Sequence, residues 1–203
     1  MPHKFDPKSL NKLEYPERFH EEPFEDLRPL LQLEQVTAVV DLGCGSGFQT
    51  FPIAHYSPRT AKIYALDVSP EMIDRLKHNM AHGELVKPLA SEDTKKIIPL
   101  IIEENKFPIA DGVVDIFFNS KVFHEIDGLS EFFTEVKRIL KPEGKILIVD
   151  WKKMDTPRGP PLAHRIAFED ALKAVQKGGF VVEQSGEIYS SFYYILARKS
   201  LQN

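Results

Sequence analysis

Asp41, Gly43, Gly45 and Gly47 stand together in Val36–Gln49, VTAVVDLGCGSGFQ, and this is where the chain's residue types first suggest chemistry. Glycines at alternate positions let a backbone turn sharply and let a ligand approach with no Cβ in the way. A short β-branched run precedes them, as in a strand buried on both faces of a parallel sheet. Phe48, Gln49, Thr50, Phe51, Ile53 and Ala54 follow and can start a helix whose free N–H groups face the loop. Strand, glycine turn and helix make a nucleotide-binding crevice at the carboxyl end of the strand. Asp67 lies twenty residues beyond Gly47, at the end of a second apolar run. A carboxylate there can accept hydrogen bonds from both hydroxyls of a ribose. His124 and Glu125 follow a later apolar run, where an imidazole can take a proton from a nucleophile; a cap or a structural histidine is the plainer alternative. Asp150 and Trp151 close a further run, and Trp151 is either a substrate wall or core.

The elements that must position these residues can be followed along the chain. Residues 1–23 are polar, carry four prolines and the aromatics Phe5, Tyr15 and Phe19, and form either a loose arm or a lid over the crevice. Leu27, Leu30, Leu31 and Leu33 give a short amphipathic helix. Ala61–Leu66 is the second strand, and Ser69 with Pro70 caps a helix running to about Met80. Ile97–Ile102 is the third strand, with Pro99 confining it to an edge; Leu85–Leu89 competes with it. Val113–Phe118 is the fourth, leaving through Asn119, Ser120 and Lys121. An apolar stripe from Leu129 to Leu140 is helical, stopped by Pro142 and Gly144. Lys145–Val149 is the fifth strand, and a helix spans about Ala163–Lys177. Phe180–Glu183 and Phe192–Ala197 are too close for a crossover helix, so they pair as an antiparallel hairpin.

The 203 residues suit one domain, an arm at 1–23 and a core at 24–203. A net charge of −4 argues against a nucleic-acid surface, and no apolar run reaches membrane-spanning length. Cys44 is the single cysteine, so no intrachain disulfide exists, and the N-terminus has no signal-peptide core; a cytoplasmic protein is expected. No residue cluster has metal-ligand spacing, and the sequence leaves open whether the protein is a monomer or a homodimer.

The dinucleotide fingerprint asks for a small residue at the position occupied by Phe48, which disfavours a nicotinamide-dependent oxidoreductase. The glycines run G-x-G-x-G behind Asp41 instead, and Asp41–Gly47 resembles motif I of the class I S-adenosylmethionine-dependent methyltransferases. Phe107–Asp115 (FPIADGVVD) and Glu135–Asp150 (EVKRILKPEGKILIVD) resemble segments of the small-molecule branch related to ubiquinone-biosynthesis methyltransferases. The resemblance implies a Rossmann-like α/β fold: a seven-stranded, mostly parallel sheet with a C-terminal antiparallel hairpin and helices on both faces. It implies S-adenosylmethionine as cofactor, S-adenosylhomocysteine as product and a small-molecule acceptor; a cofactor-binding protein without turnover is the other possibility. It assigns Asp41 and the backbone of Gly43, Cys44 and Gly45 in the Gly47-bounded loop to the methionyl part. Asp67 goes to the ribose, Val68 and Met72 to the adenine faces, and Glu103 and Glu104 to the adenine edge. Asn119 and Ser120 go to the sulfonium end. Tyr15, Phe19, His124, Glu125, Asp150 and Trp151 are left to shape the acceptor pocket, with His124 the candidate base. Family members usually have Asp at Glu103. Asn119-Ser120-Lys121-Val122 lacks the Asn-Pro-Pro-aromatic motif of adenine and glutamine N-methyltransferases.

Overall fold

A computed structural model of the chain describes residues 14, 15, 17–83 and 91–200. Phe5, the first half of the expected arm and the competing strand at Leu85–Leu89 lie outside those residues. Seven strands form one sheet in the order β3-β2-β1-β4-β5-β7-β6. Contacts divide the chain into two compact units, the first ending at Glu103 and the second beginning at Glu104.

In the first unit, β1 (Ala38–Leu42), β2 (Lys62–Asp67) and β3 (Ile97–Ile101) pair in parallel, with Asp41 opposite Ala65 and Asp67 opposite Ile101. Every residue of β1 is buried, as its unbroken apolar run requires. β3 is the outermost strand, where the missing N–H of Pro99 is tolerated. The helices are α1 (Arg18–Glu21), α2 (Phe24–Leu31), α3 (Thr50–Tyr56), α4 (Pro70–His82) and α5 (Ser91–Thr94). α4 follows its sequence signals. The Ser69 hydroxyl accepts from the Met72 N–H at 3.2 Å, Pro70 opens the helix, and Gly83 closes it at φ +66°. Leu27, Leu31, Leu33, Ile53, Ile63 and Leu76 are fully buried and make this unit's core.

In the second unit, β4 (Val114–Ser120) pairs in parallel with β5 (Leu140–Trp151). β7 (Phe192–Lys199) lies antiparallel to both β5 and β6 (Phe180–Ile188). α6 (Leu129–Ile139) and α7 (Phe168–Lys177) complete it. Phe107, Phe117, Phe132, Phe133 and Phe180 run as a chain of ring contacts, each centroid 5.1–5.8 Å from the next.

Several boundaries differ from those read from sequence, among them β6, which runs on to Ile188 rather than ending at Glu183. β4 continues through Asn119 and Ser120, which therefore sit within the strand. β5 begins at Leu140, five residues early: Leu140 pairs with Val114 and Lys145 with Ile116, so residues 141–144 bulge opposite Asp115. Pro142 and Gly144 do stop α6, but the turn is absorbed into the sheet, where Lys141 Nζ reaches Asp115 Oδ1 at 2.6 Å. α7 starts at Phe168, because the residues before it form a 3₁₀ turn, Leu162–His164, and the extended Arg165.

Candidate active site

The glycine loop is pinned to the end of β2. Gly43 and Cys44 N–H both donate to the Leu66 carbonyl (2.8 and 3.0 Å), Gly45 N–H to Asp67 Oδ2 (3.0 Å) and Gly47 N–H to the Cys44 carbonyl (2.9 Å). These donors are spent inside the protein, so what Gly43, Cys44 and Gly45 offer a ligand is carbonyl oxygen, suited to a cation. Two of the N–H groups at the start of α3 are occupied as well, so fewer are free than expected. Phe51 N–H donates to Gly47, Pro52 has no N–H, and Ile53 N–H donates to Gln49. Gly47 sits at φ +103°, and a Cβ there would lie 2.7 Å from both Leu76 and Phe51, so only glycine fits.

Asp67 Oδ1 accepts from the Ser69 N–H at 2.9 Å while Oδ2 holds Gly45. Each oxygen keeps a further lone pair, enough to accept from two ribose hydroxyls. Burial raises the Asp67 carboxyl against the opposing backbone N–H groups of Ser69, Gly45 and Val68. Asp41 is buried and accepts from the Thr50 hydroxyl at 2.6 Å. Burial pushes its carboxyl up to about 7, Thr50 opposes this, the Asp67 charge adds to it, and Arg18 opposes it. A cation arriving beside Asp41 favours its ionised form. Burial and both carboxylates raise the Cys44 thiol, so it is no nucleophile.

At the rim, Val68 is 44% exposed and Ile101, register partner of Asp67, is 52% exposed. Such apolar side chains at the carboxyl ends of β2 and β3 suit a flat base. Met72, expected on one adenine face, is buried on α4. Ile101 was missed by sequence reasoning because nothing local separates it from the core residues of its strand. Glu103 and Glu104 are exposed just past β3. In the arm, the Tyr15 hydroxyl donates to Glu21, whereas Phe19 rests on Phe48 with centroids 5.0 Å apart.

The second unit brings His124 and Asp150 together. Asp150 Oδ2 accepts from the His124 backbone N–H and Oδ1 from its Nδ1, both at 2.8 Å; Oδ1 also takes the Trp151 N–H at 2.7 Å. With Nδ1–H held by a carboxylate, the neutral ring carries its lone pair on Nε2, which lies 3.7 Å from Glu125 Oε1. Burial works to lower the imidazole, but the Asp150 bond and charge, with Glu125, outweigh it and leave it raised, Arg165 opposing. Asn119 is fully buried with neither amide atom bonded, and the buried Tyr193 hydroxyl, in register with Asp150, also has no partner. Ser120 is half-buried. Trp151 is half-buried against Phe192, with centroids 4.4 Å apart, and under the Arg165 guanidinium at 5.0 Å. Arg165 donates to the carbonyls of Lys152, Met154, Arg158 and Pro160 and fastens that loop. Among the described residues, no group of His, Cys, Asp and Glu could hold a metal ion, and no helix is long and apolar enough to cross a membrane.

A parallel α/β sheet with a glycine turn after β1, an acid ending β2 and an antiparallel final strand define a nucleoside-binding transferase architecture. The methyltransferase-domain family model matches residues 40–148. A SAM-dependent methyltransferase from Aquifex aeolicus superposes with a TM-score of 0.85 at 29% identity, covering 96% of this chain and 99% of that one. A putative type 11 methyltransferase from Sulfolobus solfataricus gives 0.70 at 26% identity, covering 90% and 94%. The malonyl-[acyl-carrier protein] O-methyltransferase of Methylovorus sp. is 32% identical over 111 residues, 54% of this chain but 35% of that protein. The chain thus spans about a third of that curated relative's length. It belongs to the class I S-adenosylmethionine-dependent methyltransferase family.

Proposed function

We propose that the chain transfers a methyl group from S-adenosylmethionine to a small-molecule acceptor. The observation that carries this reading is the Asp67 carboxylate, buried at the end of β2 and fixed by the Gly45 and Ser69 N–H groups with lone pairs to spare. The bound cofactor supplies a methyl on a sulfonium, which a nucleophile displaces in line. Asp67 holds the ribose, Val68 and Ile101 border the base, and Asp41 with the loop carbonyls receives the methionyl ammonium. His124 Nε2 takes the proton that an O-, N- or C-nucleophile must lose, and Asp150 orients the ring and stabilises the imidazolium. The acceptor of the Methylovorus relative is a malonyl group on a carrier protein. For this chain the reading takes a free small molecule as the acceptor. Phe48, with Arg18 stacked 3.7 Å from its centroid, fills the place where a dinucleotide fold needs a small residue, which disfavours NAD.

Calorimetric titration with S-adenosylmethionine, S-adenosylhomocysteine and NAD tests the reading. The two adenosyl ligands bind and NAD does not; Asp67→Ala weakens both by roughly 10–100-fold, the worth of a charged hydrogen-bond acceptor. Binding of NAD alone, or unchanged affinity in Asp67→Ala, overturns it.

A further inference from the structure

We propose that the acceptor atom is a hydroxyl oxygen, held between His124 Nε2 and the Tyr193 hydroxyl. The inference rests on the methyltransferase reading above and names the kind of group that receives the methyl.

Strand register brings the two residues to one place. Asn119 pairs with Ile148 of β5; two residues on, Asp150 pairs with Tyr193 of β7. Register partners, and residues two apart on a strand, point to the same face of a sheet. Asn119, Asp150 and Tyr193 therefore share a face. Tyr193 is 1% exposed and its hydroxyl has no hydrogen-bond partner, while both amide atoms of the fully buried Asn119 are unbonded. A buried polar group with nothing to bind is costly unless a ligand arrives to meet it. Two such groups flank Asp150 here, and Asp150 carries the His124 ring on Oδ1. A tyrosine side chain is longer than an aspartate, so the Tyr193 hydroxyl extends past the carboxylate on the side where Asp150 carries the imidazole. Burial, and the Asp150 charge after it, raise the Tyr193 phenol, so it stays a donor at neutral pH.

The two groups make opposite demands. His124 Nδ1–H is held by Asp150, and Glu125 Oε1 is 3.7 Å from Nε2, beyond hydrogen-bond reach, so Nε2 offers a lone pair and needs a donor. Tyr193 offers an O–H and needs an acceptor. A hydroxyl answers both, with one O–H donor and two lone pairs. An ammonium has no lone pair, a carboxylate has no proton, and a thiol is weak in both directions. Of the hydroxyls, one as acidic as the phenol of tyrosine (about 10) gives its proton to an imidazole more readily than an aliphatic alcohol does. In the transfer the O–H bond breaks and its proton goes to Nε2, while an oxygen lone pair forms the bond to the methyl carbon. The pair that bound the methyl stays on sulfur, the Tyr193 O–H steadies the charge developing on oxygen, and the imidazolium later releases its proton to water.

The test measures transfer of a labelled methyl from S-adenosylmethionine to phenol, aniline, thiophenol and benzoate, which differ in the nucleophile on one ring. Rates are corrected for reaction without enzyme. The wild type labels phenol at least tenfold faster than the other three. Tyr193→Phe removes one oxygen atom; it cuts that preference at least tenfold and leaves the dissociation constant of S-adenosylhomocysteine within twofold. A tyrosine that merely packs leaves the ratio of phenol to thiophenol transfer unchanged in Tyr193→Phe, and that result overturns the assignment. So does a wild type that leaves phenol unlabelled or favours one of the other three, an outcome that depends on no variant folding. A wild type that does not bind S-adenosylhomocysteine removes the methyltransferase reading itself.

Discussion

At the scale of single residues, the site is built from carboxyls held in unusual states. Asp41 titrates near 7 when folded, against about 3.9 in an unfolded chain. Between those values the native state holds a proton that the unfolded state has lost, so stability falls as pH rises through the window. Asn at this position stays neutral throughout. Melting temperatures taken from pH 4.5 to 7.5 therefore show Asp41→Asn gaining on the wild type as pH rises, with Asp67, Thr50 and Arg18 present in both proteins; a constant gap would contradict the assignment. His124 is raised as well, but by a charged partner rather than by burial. Asp150 raises the imidazole against burial, so the pair's stabilisation is complete below about pH 6.5 and is lost as pH climbs through the raised value. NMR titration of the His124 ring then gives a midpoint above about 6.5 in the wild type, and Asp150→Asn lowers it because burial is then opposed by Glu125 alone. A midpoint indifferent to Asp150 would remove the basis for treating the two as a catalytic pair.

At the scale of elements, Arg138 joins two distant stretches of this chain, Phe107–Asp111 and α6. It sits near the end of α6 and holds Glu135 with two bonds of 2.7 Å. It also donates to the carbonyls of Ile109 (2.8 Å) and Phe107 (2.9 Å) and pairs with Asp111. Glu135 in turn accepts the Phe107 N–H at 3.0 Å. One guanidinium thus fastens the segment ahead of β4 onto α6, and the Gly112 and Val113 N–H groups complete the join on the Arg138 and Ile139 carbonyls. The network is about one-third exposed at the arginine, so solvent discounts it. Arg138→Met is expected to cost roughly 2 kcal/mol, or about 5 °C in melting temperature, with cofactor affinity unchanged. A loss under about 1 °C would show that the bonds are geometric only.

At the scale of the whole molecule, each half of the chain contributes a different kind of chemistry. The first unit carries the glycine loop, Asp41, Asp67 and the exposed apolar pair Val68 and Ile101. The second holds the hydrogen-bonded pair His124 and Asp150, with the unbonded amide of Asn119. The family match covers residues 40–148, so the glycine loop and His124 fall inside it, while Asp150, Trp151, Arg165 and Tyr193 fall outside.

What the amino-acid order determined alone was everything set by local backbone demands and short periodicities. The buried run before Asp41, the Ser69 cap, the apolar stripe of α6 and the closeness of β6 to β7 each act within a few residues, and each element formed. Tertiary structure decided what depends on register between distant strands. The Leu140–Val114 pairing turned an apparent helix stop into a bulge, and β4 drew Asn119 into the sheet. Arg165 bound the carbonyls of a loop that precedes it and so delayed α7. His124 and Asp150 are 26 residues apart. Their bond exists because the turn after β4 and the end of β5 meet at one level, a distance in space that no pattern of neighbouring side chains can encode.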